Sequence, residues 1–148
     1  NEYHKGRMAS VIFHGFHQIN ETKKMKLFAS NDSKIQDGEQ RRDFIYVKEL
    51  IDVLLHFYDH QFENGIYNLG TGKANTFNEL ASNIFSALEL KKHIEYIPLP
   101  VDIAQSYQNF TEANTEKLLA NSNYHYKYNF ESAVHDYVNQ YLKFGKII

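Results

Sequence analysis

Arg42-Asp43-Phe44-Ile45-Tyr46-Val47, followed some twenty residues on by Gly65-Ile66-Tyr67-Asn68-Leu69-Gly70-Thr71-Gly72, is the stretch on which the fold turns. The first block is β-branched and aromatic throughout and predicts a strand over 42–47. Between the blocks, Leu50, Ile51, Leu54, Leu55 and Tyr58 recur at helical spacing, so Glu49 to His60 reads as an amphipathic helix. The second block predicts a short apolar strand over 66–70 that ends in glycines. A short apolar strand flanked by helices on both sides is the pattern of a buried parallel strand, which needs a neighbour on each edge.

Working outward, Thr76-Phe77-Asn78-Glu79 is a capping box, in which the Thr and Glu side chains satisfy each other's free amides, and it opens a helix to about Leu90. Ile94 to Leu99 reads as a strand ended by Pro98 and Pro100. Thr115 to Ala120 predicts a short helix, and Phe130 to Phe144 a longer one capped by Asn129. Upstream, Met8, Val11, Ile12, Gly15 and Ile19 mark a helix from Arg7 to about Thr22, followed by a strand at Met25–Phe28. The stretch from Ser30 to Arg41 is too hydrophilic to pack and is rich in turn formers. Strands alternating with helices predict an α/β fold with parallel pairing. Too few strands are present for a full doubly wound sheet, and residues 66–70 should expose a bare edge that promotes self-association or local disorder.

The 148 residues set a prior of about one domain, and 43% hydrophobic with 23% charged residues is a globular balance. With no cysteine, disulfide scaffolds, Cys-ligated metals and thiol nucleophiles are excluded. A formal charge of −2 gives no electrostatic reason to expect nucleic acid or an anionic membrane surface, and no apolar run approaches the roughly 20 residues of a membrane span. The sequence opens Asn1-Glu2-Tyr3-His4-Lys5-Gly6-Arg7, without an initiator Met or a signal-peptide core, and reads as a piece of a longer protein.

Gly70-Thr71-Gly72 sits where a dinucleotide fingerprint could sit. Position 75 is Asn rather than a third glycine, and Glu89, about where the acidic partner belongs, falls inside a helix; a tight turn is the better reading. His56 and His60 are one helical turn apart, but Phe57 stands where a zinc peptidase has Glu, and neither they nor His14 and His17 have an evident third ligand. No metal site is expected. Arg42, entering a strand behind a flexible loop, can fork onto a phosphate or simply pair with Asp43 or Glu39. Lys5 by itself is a solvated lysine near a terminus, and Tyr107 a partly buried loop aromatic.

Taken together, the two blocks resemble the C-terminal half of an extended short-chain dehydrogenase/reductase acting on nucleotide sugars. His4-Lys5-Gly6, Met8-Ala9-Ser10-Val11, Phe13-His14, Lys26-Leu27-Phe28, Ile94-Glu95-Tyr96-Ile97-Pro98 and Tyr107-Gln108 make the likeness greatest to the ADP-heptose 6-epimerase branch. The resemblance spans nearly the whole chain. It implies one substrate-binding unit over 1–148, with residual elements of an incomplete Rossmann sheet near 48–72 and the N-terminal dinucleotide-binding half absent.

The activity so implied is inversion of C6 in the heptose of an ADP-sugar for the lipopolysaccharide inner core, by way of a ketone and a bound NADP (or NAD). It needs a proton-handling group on each face of the sugar. In the family one is the Tyr of Tyr-x-x-x-Lys and the other is a Lys aligned with Lys5, which would also lie near the cofactor. His14 would bond the substrate, Phe28, Ala29, Ser30 and Asn31 would line the nucleotide, Arg42 would clamp the diphosphate, and Tyr107 would cover the substrate. The family has Ser at Arg7 and Glu-Gly-Ser at Ala29-Ser30-Asn31, its loop is shorter than 32–40, and it has a basic residue at Ser106. Phosphate contacts are therefore expected to shift toward Arg7. Tyr-x-x-x-Lys is missing, since Tyr3 is followed by Arg7 and Tyr137 by Tyr141, and no complete glycine fingerprint exists. The chain alone is thus expected to bind no NADP tightly and to be inactive. A cytoplasmic homo-oligomer binding neither nucleic acid nor membrane is the accompanying expectation. The alternatives are the same half of another nucleotide-sugar epimerase or dehydratase, or a non-catalytic sugar-nucleotide binding module.

Overall fold

The computed structural model describes residues 2–146. A 3-10 turn at Gly6–Met8 leads to Ser10, whose hydroxyl accepts from the Phe13 amide and so starts α1, Val11–Thr22. α1 turns into β1, Met25–Phe28, through Lys23 in the left-handed conformation. β1 pairs in parallel with β4, Ile94–Ile97, in the register Met25 to Ile94 and Phe28 to Ile97. Met25 and Leu27 are buried while Lys26 is exposed, the alternation of a strand with one face on the core. The core beneath it comes from Phe16 and Ile19 of α1, from Leu80, Ala81, Ile84 and Phe85 of α3 (Phe77–Ala87), and from Val134, Val138 and Leu142. At Gly15 a Cβ would lie 2.7 Å from the Met25 methyl and 3.0 Å from Ile84 Cδ1, so a side chain here would have to displace the ends of the Met25 and Ile84 side chains that pack on α1.

A second sheet of short strands carries the motif region. β2, Arg41–Arg42, lies between β3, Asn75–Thr76, antiparallel to it, and β5, Phe110–Thr111, parallel to it. The strand predicted over 42–47 is confined to its first residue. β5 offers a two-residue partner, and after the Asp43 amide bonds the Thr111 carbonyl at 2.9 Å the chain turns into α2, Val47–Asp59. The capping box forms as expected: the Thr76 hydroxyl accepts from the Glu79 amide at 3.0 Å and Glu79 accepts from the Thr76 amide at 2.7 Å. Between β4 and β5 lies a turn of helix, α4 (Val101–Ala104), and beyond β5 comes α5, Glu116–Ser122. The helix expected over 130–144 begins at Asn129 as predicted but is not uniform. α6, Phe130–Asp136, passes into a π-helical turn at Tyr137–Tyr141 and a 3-10 turn at Leu142–Phe144.

The expected strand at 66–70 does not form. Ile66 is 88% exposed, and the segment is extended without a ladder. Tyr67 and Leu69 pack instead on the cluster of Val53, Leu118 and Tyr124 that joins α2 to α5. A short apolar run between helices reads as a buried parallel strand, but no sheet edge reaches it among the described residues. The bare-edge argument for self-association therefore loses its premise. No helix of the described residues is long and apolar enough to cross a membrane.

Candidate functional site

Parallel pairing of β5 with β2 sets the loop before β5 beside Arg42, and the end of β1 closes the other side. Between them lies a cleft of about 350 Å³ whose walls include Arg7, His14, Lys26, Phe28, Gln40 and Tyr107. Val11, His14 and Gln18 occupy one face of α1 toward it, while Gly15, Phe16 and Ile19 are buried on another. The Tyr107 ring stands nearly perpendicular to Phe28 at 6.3 Å between centroids. Over that ring, at 5.3 Å, sits the Arg42 guanidinium, which is also 5.7 Å from the centre of Phe77. Burial raises the Tyr107 phenol above its ordinary pKa, and the Arg42 charge opposes part of the rise. Arg42 Nη1 donates to the Arg41 carbonyl at 2.8 Å, which with the aromatic faces fixes the plane of the cation and leaves its other N–H groups for an anion.

Of the residues singled out in the sequence, Arg7, His14, Phe28 and Tyr107 line this cleft, with Arg42 at its edge over Tyr107. Arg7 is exposed and 3.8 Å from Asp102. Ala29 ends the first sheet, its amide bonding the Ile97 carbonyl at 2.8 Å. Ser30 and Asn31 lie in a separate loop hollow over residues 30–37. Asn31 accepts from the Asn109 amide at 3.1 Å and donates to the Ala104 carbonyl at 3.4 Å, so it ties down the loop that carries Tyr107. Lys5 is not brought into the cleft: its ammonium lies 3.8 Å from Glu2 with the side chain 46% exposed. Glu2 in turn accepts from the Ser10 amide, the Ser10 hydroxyl and the Tyr137 hydroxyl at 2.5–2.7 Å, which fixes the segment bearing Lys5 against α1. Sequence reasoning missed Gln40, Gln18 and Lys26 as wall residues. For Gln40 the signal was present, since it precedes Arg42 by two on an extended chain.

The remaining motifs have structural work. Asp43 is paired with neither Arg41 nor Arg42 among the described residues; it accepts from the amides of Thr71, Gly72 and Ala113 and from the Thr71 hydroxyl. Gly70-Thr71-Gly72 is thus a turn wrapped on a carboxylate, with Gly72 at φ +69°. Glu39 accepts from Asn78. His56 bonds the Ser122 carbonyl and His60 the His56 carbonyl, and the described residues contain no cluster of His, Asp and Glu able to hold a metal ion.

Parallel strand pairs with connecting helices make this an α/β protein with a cleft of Arg and aromatic side chains at its strand ends, and three comparisons set it among known proteins. Residues 2–70 match the NAD dependent epimerase/dehydratase family. The chain is 40% identical over 95% of its length to the ADP-L-glycero-D-manno-heptose-6-epimerase of Fusobacterium nucleatum, and 42% identical over 96% to that of Nitratidesulfovibrio vulgaris. It spans about 44% of the length of each of these curated relatives. Among solved structures, that of the Helicobacter pylori ADP-L-glycero-D-manno-heptose-6-epimerase superposes with a TM-score of 0.75 at 28% identity, over 94% of this chain and 40% of that one. The UDP-glucose 4-epimerase of Thermotoga maritima shares the fold, with a TM-score of 0.74 at 18% identity, over 99% of this chain and 42% of that one. The fold is that of part of an extended short-chain dehydrogenase/reductase, as the resemblance implied.

The Gly70-Thr71-Gly72 turn itself offers no phosphate cradle to the nicotinamide dinucleotide that such a family match implies. The one glycine turn following the motif block has its amides engaged by Asp43, and a Cβ at Gly70 would meet the Asp43 carboxylate at 2.6 Å, not an open cradle.

Proposed function

We propose that the chain is the substrate-binding part of an NADP-dependent epimerase that inverts C6 of the heptose in ADP-glycero-manno-heptose, a step toward the lipopolysaccharide inner core. The observation that supports this best is the cleft in which Arg7, His14, Phe28 and Tyr107 converge beneath the stacked Arg42 guanidinium. In this reading Arg42, fixed in orientation by Tyr107 and Phe77, holds the diphosphate bidentately, with Arg7 and Lys26 adding positive charge. His14, half-buried on α1, hydrogen-bonds a sugar hydroxyl, and Phe28 with Tyr107 walls the ligand from water. Ala29, Ser30 and Asn31 follow Phe28 out of the cleft and would line the nucleotide from the neighbouring loop hollow, which Asn31 ties to the 104–109 loop.

Lys5 is the proposed acid/base group for the heptose hydroxyl. It would leave Glu2 and swing toward the cleft from the 3-10 turn that carries Arg7, at a site also shared with the cofactor. Whether the assembled enzyme is a cytoplasmic homo-oligomer belongs to the same proposal. Titration of the chain with ADP-glycero-manno-heptose and with UDP- and GDP-hexoses tests the reading. Preference for the ADP-sugar supports it; equal or stronger binding of the others points to another nucleotide-sugar enzyme. A turnover assay on the chain alone should show no C6 inversion.

A further inference from the structure

Gln40 is 1% exposed, forms part of the cleft wall, and its amide Nε2 meets no hydrogen-bond partner among the described residues. Buried side-chain donors are nearly always paired, so a free one on a cleft wall calls for a reason. Packing does not supply one. Leu27, Phe28, Phe77 and Tyr107 are also on this wall, and an apolar side chain of the same volume would serve them as well. Strand alternation places the residue on the cleft side. Glu39 and Arg41 line a polar hollow on one side of the strand, whereas Gln40 lines the cleft on the other, the side on which Arg42 stacks over Tyr107.

We propose that the Gln40 amide is a specificity-determining donor, placed to hydrogen-bond an oxygen of the sugar-diphosphate portion of an ADP-sugar. This rests on the reading of the cleft given above. The cations Arg7, Lys26 and Arg42 attract any diphosphate with little regard to shape, because charge acts at a distance. A neutral, buried donor acts only at hydrogen-bond range and goes unpaired when a ligand lacks the matching oxygen, which is how a site rejects near neighbours. The same free amide destabilises the empty chain, so ligand selectivity here is bought with stability.

The test uses the 148-residue chain, with ADP-glucose and ADP as probes in calorimetric titrations and with thermal melts of the unliganded protein. Gln40→Met keeps the volume and removes the donor. It should weaken ADP-glucose binding about tenfold, the size of one lost hydrogen bond. At the same time it should raise the melting temperature by about 2–4 °C, because no donor is left unpaired. Gln40→Leu should move both in the same directions. A similar loss for ADP places the acceptor on the diphosphate; a loss confined to ADP-glucose places it on the sugar. Wild-type binding that disappears in Arg42→Ala but persists in Gln40→Met overturns this inference alone. Weaker binding that merely follows a lowered melting temperature also overturns it, since that is the mark of a packing role. No binding by the wild-type chain, with nothing changed by Arg42→Ala, overturns the cleft reading and this inference with it.

Discussion

Asp43 and Thr71 are joined twice: the Thr71 amide at 2.8 Å and its hydroxyl at 2.5 Å both donate to Asp43 Oδ1. With the Gly72 amide at 2.9 Å and the Ala113 amide at 3.2 Å on Oδ2, a single carboxylate organises β2, the glycine turn and the residues after β5. That is why the two sequence blocks occur together; one supplies an anion and the other the amides that wrap it.

Replacing Asp43 with Ala leaves those donors without their acceptor, and stability should fall by about 2–4 kcal/mol, given that charge-assisted bonds are individually worth roughly 1.5–3. Asp43→Asn should cost less, because one oxygen remains. Gly70→Ala should act in the same direction by pressing on the carboxylate. Urea unfolding monitored by circular dichroism measures all of these. An Asp43→Ala variant within about 0.5 kcal/mol of wild type, the ordinary range for a surface change, contradicts the assignment.

A second prediction concerns acid. Asp136 is partly buried, which raises its pKa, but hydrogen bonds from Lys48 and Tyr46, both at 2.6 Å, outweigh burial and hold it below its ordinary 3.8. Glu2 behaves alike: burial raises it, while the bonds from Ser10 and Tyr137 bring it below its ordinary 4.5. Groups that hold protons less tightly when folded stabilise the fold fully above their unfolded values and lose that contribution as pH falls through the folded ones. Melting temperature should therefore be flat at neutral pH and drop below about pH 4. Asp136→Asn should be less stable at pH 7 and show a shallower acid limb. A wild-type acid limb left unaltered by the change would exclude Asp136 from it.

Glu49 offers a sharper test of burial. It is 1% exposed on α2 and accepts from the Tyr124 hydroxyl at 2.5 Å and from the amides of Lys127 and Tyr128. Burial and the neighbouring carboxylate push the Tyr124 phenol well above its ordinary range, so it stays a donor at all ordinary pH. Tyr124→Phe should cost about 1–3 kcal/mol, and Glu49→Ala roughly 3–5, because the latter strips the acceptor from several donors. The double variant should cost less than the sum, since each change removes the same bond. Strict additivity in unfolding experiments would mean that the bond contributes nothing.

How much of this was legible beforehand depended on the range of the interaction. Thr76 with Glu79 and Asn129 with Ser132 are local pairs, and both caps were readable or nearly so from spacing alone. α1 and α2 followed from periodicity, α3 from its capping box, and the parallel pairing of β1 with β4 from the alternation of strands with helices. The strand at 66–70 failed because an apolar run records that the segment packs, and Tyr67 and Leu69 do pack on the cluster of Val53, Leu118 and Tyr124, but it cannot record whether a sheet edge lies alongside. For the site, Arg42, His14, Phe28 and Tyr107 were found through resemblance, and their convergence depends on β2–β5 pairing across almost seventy positions, which no local pattern encodes. Lys5 shows the limit of that route: its resemblance to an acid/base position is positional, whereas its nearest charge here is Glu2.

The stacking of Arg42 over Tyr107 gives the last prediction. If the guanidinium is the diphosphate clamp, two properties matter: a planar fork for paired phosphate oxygens and an aromatic face that fixes its plane. Arg42→Lys keeps the charge but loses both, and should weaken ADP-glucose binding about tenfold; Arg42→Ala, which also removes the charge, should weaken it about a hundredfold at low salt. Tyr107→Phe retains the ring and should bind within about twofold of wild type, whereas Tyr107→Leu frees the guanidinium and should approach Arg42→Lys. Raising ionic strength should narrow the gap between Arg42→Lys and Arg42→Ala, since only the charge term is screened, while leaving the gap between wild type and Arg42→Lys nearly intact. Calorimetric titrations at two salt concentrations measure every term. If Arg42→Lys binds as well as wild type, the contribution of Arg42 is charge alone and the stacked geometry plays no part in recognition.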